Sequence, residues 1–242
     1  MSPRLLALLV IRNRPEDIGS VPDGELPPED YQRAAHASAT TGGLTLSEAM
    51  RTRIFWALTA GLIFFPFGMI TWISHAAPFY ESVGRSSATA AGLVSLSAAL
   101  AIPPRLFAGF FADRLPRLEL GAAGVGFLLA ISMLILVVDS SPIGIALFFP
   151  LFVFGFATGG ALFEGLLIPR AFGVQHYATI LGTIVIMQTV GFVLGPTIAG
   201  AIYDETGSYQ WALVMMAALF TGTGLSFLLA AKLPRPQIPA RD

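Results

Sequence analysis

Arg105 is the residue with the sharpest chemistry in this chain. It sits in "AALAIPPRLFAGFFADR" (residues 98–114), a largely apolar run, directly after Pro103 and Pro104. A guanidinium stays charged in any protein environment, so it needs water or a partner. Asp113 and Arg114 mark the polar end of the run. Arg105 lies about 12 Å deeper along a helix at 1.5 Å per residue. One reading is snorkelling of the long side chain to the headgroups. The other is a water-filled cavity or a partner charge, and the depth favours the cavity.

A second charge lies in "GGALFEGLLIPR", where Glu164 precedes Arg170 by about 9 Å of helix. Two uses of Arg105 and Glu164 stand side by side. They form a structural ion pair holding two helices, or they build an anion site with a titratable carboxylate beside it. In the second case, small movements that part the charges would load or release a proton.

The surroundings fit a site or a helix contact. Pro103 and Pro104 remove amide donors and free carbonyls near Ala99 and Leu100. Such groups are tolerated at membrane depth where they line a cavity or face protein. Ala98, Ala101, Ala108 and Gly109 on the Arg105 face leave room for a substrate or for a close helix. Gln188 is polar at mid-span, and either lines the same cavity or bonds across helices. His75, in "WISHAAPFYESVG", reads as an interfacial histidine or as a proton-sensing gate. Gly155/Gly159 and Gly191/Gly195 have the small-x-x-x-small spacing of helix packing.

These residues must be positioned by membrane helices. The chain has 242 residues, 55% hydrophobic and 12% charged, with a mean hydropathy of +0.72. An ordinary soluble domain is about 25% charged. Runs of about 20 apolar residues cross a bilayer as helices. Six occur: Ile54–Pro78, Thr89–Ala112, Leu120–Val138, Ile143–Ile168, Tyr177–Ile202 and Trp211–Ala231. The links between them carry helix breakers: "ESVGRSS", "DRLPR", the stretch from Asp139 to Pro142, "PRAFGVQ" and "DETGSY". The expected class is an all-α, multi-pass membrane protein whose direct environment is the lipid bilayer.

Basic residues set the expected orientation. Arg12, Arg14, Arg33, Arg51, Arg53, Arg114, Arg117, Arg170, Lys232, Arg235 and Arg241 fall on one side, and Arg85 alone on the other. Both ends of the six-helix region, 53–232, are therefore expected in the cytoplasm. Residues 12–52 read as a polar cytoplasmic linker. It ends in an interfacial helix opened by Thr45 and Glu48 at capping-box spacing. "LLALLVI" within residues 1–11 is too short to span and reads as the remnant of a preceding transmembrane helix. Residues 233–242 form a cytoplasmic tail.

The second of these six runs ends "GFFAD" and the fifth ends "GAIYD". Each is the middle helix of a triplet, which fits an inverted three-plus-three repeat of the kind transporters use.

Several functions are excluded. A net charge of −1 gives no footing for nucleic acid, and the absence of cysteine rules out thiolate catalysis and cysteine-based zinc sites. Three scattered histidines do not make a metal site. Ser226 has no histidine in a later span, "YD" lacks a Gly-x-Gly-Asp companion, and no phosphate loop is present. No catalytic residue, cofactor or metal is expected.

With these motifs in view, the chain resembles the carboxyl half of a major facilitator superfamily transporter, closest to the monocarboxylate transporter family. "GFFADRLPR" is similar to the cytoplasmic loop motif of that superfamily. "GPTIAGAIYDETGSY" (195–209) resembles the eleventh helix, "ALFEGL" the tenth, and "RNRPEDIGSVPDG" the central loop. The resemblance implies half of a major facilitator fold that moves a small organic anion with protons. Arg105 would hold the substrate carboxylate, with Glu164, Gln188 and His75 in the binding region. Gly109, Asp113, Arg114 and Arg117 would gate the cytoplasmic side, and Gly195, Pro196, Gly200 and Asp204 would form the helix-end motif. It also implies a partner, either a separate amino-terminal six-helix half or a second copy. Ala101 stands where the family often has an aspartate. A second reading is a non-transporting membrane subunit or truncated relic with a structural Arg105–Glu164 pair.

Overall fold

Thr45 and Glu48 cap one another at the start of the first described helix. The Thr45 amide donates to Glu48 Oε2 at 2.7 Å, and the Glu48 amide donates to Thr45 Oγ1 at 3.4 Å, the reciprocal bond set of a capping box. A computed structural model of the chain describes residues 42–115 and 117–236, without the side chains of 108–111, 113 and 160–162. The expected remnant at 1–11, the linker up to residue 41 and the tail from 237 lie outside the described residues.

Helix α1 (Leu46–Met50) leads into α2 (Arg53–Ser82), then α3 (Ser87–Leu100), α4 (Ile102–Arg114) and α5 (Leu118–Val138). Helix α6 (Pro142–Leu162) follows, then a π-helical turn (Phe163–Leu167) and α7 (Ile168–Phe172). Helices α8 (Tyr177–Thr206) and α9 (Gln210–Lys232) complete the order. Among the described residues, six stretches are long and apolar enough to cross a membrane: α2, α3 with the start of α4, α5, most of α6, α8 and α9. We number them spans one to six. Glycine closes links where a left-handed residue is needed: Gly84 (φ 85°) after α2, and Gly207 (φ 65°) after α8. Only glycine adopts this region without a Cβ penalty.

Span two is broken where a continuous helix was expected. Helix α3 stops at Leu100 and α4 restarts with Ala101 as its N-cap. Pro103 and Pro104 then fall in the first turn of a new helix, where a missing amide costs nothing. Span four also departs from a plain helix. It widens into the π turn at Phe163–Leu167, just before Pro169. Proline cannot donate to the carbonyl four residues back, and Glu164 lies in this widened turn.

Helix α2 packs against α8 and α9, α9 against α5, and α5 against α6. Lipid tails are as apolar as leucine, so packing at close range holds such helices together. Glycines make that approach possible. A Cβ on Gly126 would lie 2.6 Å from the Gly224 backbone nitrogen, and one on Gly68 would lie 2.8 Å from the Phe220 ring. Gly191 and Gly195 seat Phe67 in the same way, and Gly155 seats Leu129. Span two is the least buried of the six. Helix α3 touches α2, and α4 touches α6.

Candidate functional site

Arg105 rises from the first turn of α4 and is exposed. Its Cζ lies 5.6 Å from the centroid of the Phe156 ring in α6, within range of a cation–π contact. The guanidinium helps line a cavity of about 190 Å³ with Phe65, Pro66, Met69, Ile70 and Phe192. No carboxylate pairs with Arg105 among the described residues. The expected Arg105–Glu164 ion pair is not formed. Phe156, on which Arg105 stacks, precedes Glu164 by about 12 Å of helix, so the two charges sit at different levels of span four.

Glu164 is engaged elsewhere. Its Oε1 accepts from Gln188 Nε2 at 2.7 Å. Gln188 is 2% exposed, and the same Nε2 donates to the Leu62 carbonyl at 2.9 Å. That carbonyl needs an outside donor because Pro66, four residues on, supplies no amide hydrogen. Both hydrogens of the Gln188 amide are thereby used, and spans one, four and five are tied at one point. Gln188 does not line the Arg105 cavity.

His75 belongs to a third place. Its Nε2 lies 3.0 Å from the Pro196 carbonyl, and its Nδ1 lies 3.3 Å from the Tyr209 hydroxyl. A carbonyl only accepts, so Nε2 carries the hydrogen, and in the neutral ring Nδ1 accepts from Tyr209. Tyr209 stacks on Tyr203 with centroids 4.3 Å apart. Burial pushes the Tyr209 hydroxyl above its usual range, with Tyr203 and Asp204 adding to the effect. Gly195 packs on Phe67 and Thr71, and Gly200 faces the His75 ring. Of the helix-end residues, Pro196 and Gly200 thus meet His75, while Asp204 is exposed near Tyr209.

Of the loop-motif residues, Gly109 and Asp113 lie on α4, and their side-chain surroundings fall outside the described residues. Arg114 is exposed at the end of α4. Arg117 Nη1 donates to the Ala231 carbonyl at 3.2 Å, joining the start of α5 to the end of α9. No cluster of three or more metal-binding side chains occurs among the described residues.

The structure therefore joins Glu164 to Gln188 and keeps Arg105 and His75 apart from them. Three participants escape a reading of the sequence: Phe156, Pro66 with its freed Leu62 carbonyl, and Tyr209. Pro66, a proline within an apolar span, is the signal that could have found the second.

A family model for the Major Facilitator Superfamily matches residues 5–166. Among curated proteins, the chain is 28% identical over 171 residues to an MFS-type transporter of Gibberella moniliformis, covering 70% of this chain and 41% of the relative. It is 28% identical over 195 residues to monocarboxylate transporter 12 of Rattus norvegicus, covering 76% and 39%. It is 26% identical over 204 residues to monocarboxylate transporter 1 of the same animal, covering 78% and 40%. The chain spans about two fifths of the length of these relatives.

Proposed function

The chain belongs to the major facilitator superfamily, and from that premise we propose that it serves as the carboxyl-terminal six-span half of a secondary transporter for a small organic anion. One observation carries the reading. Arg105 faces a small, mainly apolar cavity with its guanidinium laid on Phe156 and no carboxylate neutralising it among the described residues. A guanidinium fork matches a carboxylate in two parallel hydrogen bonds. The ring beneath it favours the cation and fixes its plane, and the apolar walls suit a short hydrocarbon body. The monocarboxylate transporters among the relatives are consistent with that substrate class.

Protons enter at Glu164 in this proposal. Its carboxylate accepts the bond that Gln188 donates. Protonation weakens that acceptor and loosens the tie between spans four and five. Arg114 and Arg117, with Gly109 and Asp113 on α4, gate the face where α4 ends, which we assign to the cytoplasm from the bias of basic residues. Alternating access needs one six-helix unit to rock against another. An unshielded central arginine costs roughly 2.5–3.5 kcal/mol on insertion scales. We therefore propose that transport requires a second unit, either a separate amino-terminal half or another copy of this chain.

The test is uptake of labelled small carboxylates into proteoliposomes, with and without a proton gradient. This chain alone should insert without transporting, and addition of an amino-terminal six-span half should give saturable uptake. Arg105→Lys should cut that uptake at least tenfold although charge is kept, because lysine lacks the fork. Glu164→Gln should change the pH dependence more than the apparent anion affinity. If both variants transport like the parent, Arg105 and Glu164 are structural and the proposal fails.

A further inference from the structure

The ring beneath Arg105 is one end of a column. Phe148, Phe152 and Phe156 recur every fourth residue on α6, so they rise along one face of the helix about 6 Å apart. The Phe148 and Phe152 rings stack with centroids 5.0 Å and planes 18° apart. The Phe152 and Phe156 rings stack with centroids 5.8 Å and planes 8° apart. Trp72 of span one closes the column, its ring 5.0 Å from Phe148 and 5.6 Å from Phe152. Trp72, Phe148 and Phe152 are buried. Phe156 is half-buried, and the Arg105 guanidinium lies over it.

The same helix holds the backbone under Arg105. Ala101, the N-cap of α4, is buried against Val153 and Ala157, and Phe156 packs on that group. The Arg105 amide donates to the Ala101 carbonyl at 3.3 Å. The guanidinium has no hydrogen bond or ion pair among the described residues. Its plane is therefore set by the ring it lies on. We infer that Phe152 and Trp72 are positioning residues for Arg105. Neither lines the cavity that Arg105 faces. They act by holding the Phe156 ring, Phe152 by stacking on it and Trp72 by bracing Phe152 and Phe148 from span one. A leucine at position 152 fills similar space but offers no flat face, which frees Phe156 to leave its rotamer and the guanidinium to follow. The consequence for anion binding rests on the transport reading above, whereas the positioning itself does not.

The experiment is nuclear magnetic resonance of the purified chain in detergent, with isotope-labelled arginine. The Arg105 Nε–H resonance is the one missing from Arg105→Lys, and the Phe156 ring current should place it upfield of the exposed arginines. Phe152→Leu should move it at least halfway back toward them, and Trp72→Leu should move it the same way by less. Trp72→Phe keeps a ring against the column and should restore the parental position. Phe172→Leu removes a buried ring outside the column and should leave the resonance where it was. Circular dichroism confirms that each variant is folded. In the uptake assay with an amino-terminal half, Phe152→Leu should weaken the apparent carboxylate affinity about fivefold, the equivalent of about 1 kcal/mol of cation–π contact, with the maximal rate little changed. An unmoved Arg105 resonance in folded Phe152→Leu or Trp72→Leu would overturn the inference, as would an equal shift in Phe172→Leu. A moved resonance with parental affinity would overturn the consequence for the anion. Parental uptake by Arg105→Lys would instead sink the transport reading, and the resonance shifts would still decide the positioning.

Discussion

Spans one, three and six differ from span two in how they are held. The first three meet through glycines that admit neighbouring rings and backbone, as Gly68 admits Phe220, Gly61 admits Phe227, and Gly126 admits Gly224. Span two is interrupted at Ala101, starts its second half without a side-chain cap, and leaves Leu106 and Phe107 exposed. Yet span two carries Arg105. The charge proposed to handle substrate is on the least buried span, beside a tightly packed seam. The contrast is between a tightly packed wall and a loosely packed one, with cavities on both sides of the loose wall.

The largest effect expected on stability comes from forcing the seam apart. Gly126→Leu places a side chain against the Gly224 backbone, which has no flexible end to yield. Overpacking of this kind costs about 1–3 kcal/mol, occasionally more. The variant should show a clearly lower thermal midpoint in detergent than the parent. Gly92→Ala in span two meets nothing within 4 Å and should raise stability by about 0.5–1 kcal/mol, because alanine suits a helix better than glycine. Similar losses in the two variants would erase the distinction between the walls.

The difference between the walls also marks what a sequence can convey. Hydropathy places all six spans, because each must satisfy its own backbone in lipid. Thr45 and Glu48 are readable because a capping box is local. Pro103 and Pro104 announce a disturbance, but not that the helix ends at Leu100 and restarts. The Arg105–Glu164 pairing rests on matched depth along two helices. Arg105 instead stacks on Phe156, about 12 Å of helix from Glu164, so the depths do not match, and Gln188 claims Glu164. The donor to the Leu62 carbonyl comes from a residue 126 positions away. His75 likewise meets Tyr209 134 positions away. Helical periodicity carries no record of which span faces which, so contacts of that kind stay hidden in a single chain.

The Gln188 tie offers the next test, since it links the tightly packed span one to the candidate proton site. Gln188→Leu leaves the Leu62 carbonyl and the Glu164 carboxylate without their donor, a loss of about 1–3 kcal/mol. Pro66→Ala restores a helical donor to Leu62, so part of the cost of Gln188→Leu should vanish in that background. Thermal midpoints of the two single variants and the double variant measure the coupling. Strict additivity would show that Gln188 does not stand in for the amide that Pro66 lacks.

The smallest effect concerns how helices begin on the two sides. Helix α6 starts with Ser141 as a cap, its Oγ accepting from the Ile143 amide at 3.2 Å. Asp139 braces that serine by accepting from its amide at 2.8 Å and from its hydroxyl at 3.0 Å. Helix α4 starts at Ala101 with no such cap. Ser141→Ala should therefore cost about 1 kcal/mol, and the amides of Ile143 and Gly144 should then exchange hydrogen faster than in the parent. The brace also has a pH sign. The bonds from Ser141, side chain first and then amide, hold the Asp139 carboxyl below its ordinary value of 3.8. A group with a lowered folded pKa adds stability that is complete above the unfolded value and lost as pH falls through the folded one. Exchange at Ile143 and Gly144 should thus be insensitive to pH, after correction for intrinsic rates, from 7 down to about 5, and should rise below about 4. Asp139→Asn should flatten that acid limb while leaving the serine cap in place. An acid limb of the same height in Asp139→Asn would mean that the cap stands without its brace, and that α6 owes its firmer start to Ser141 alone.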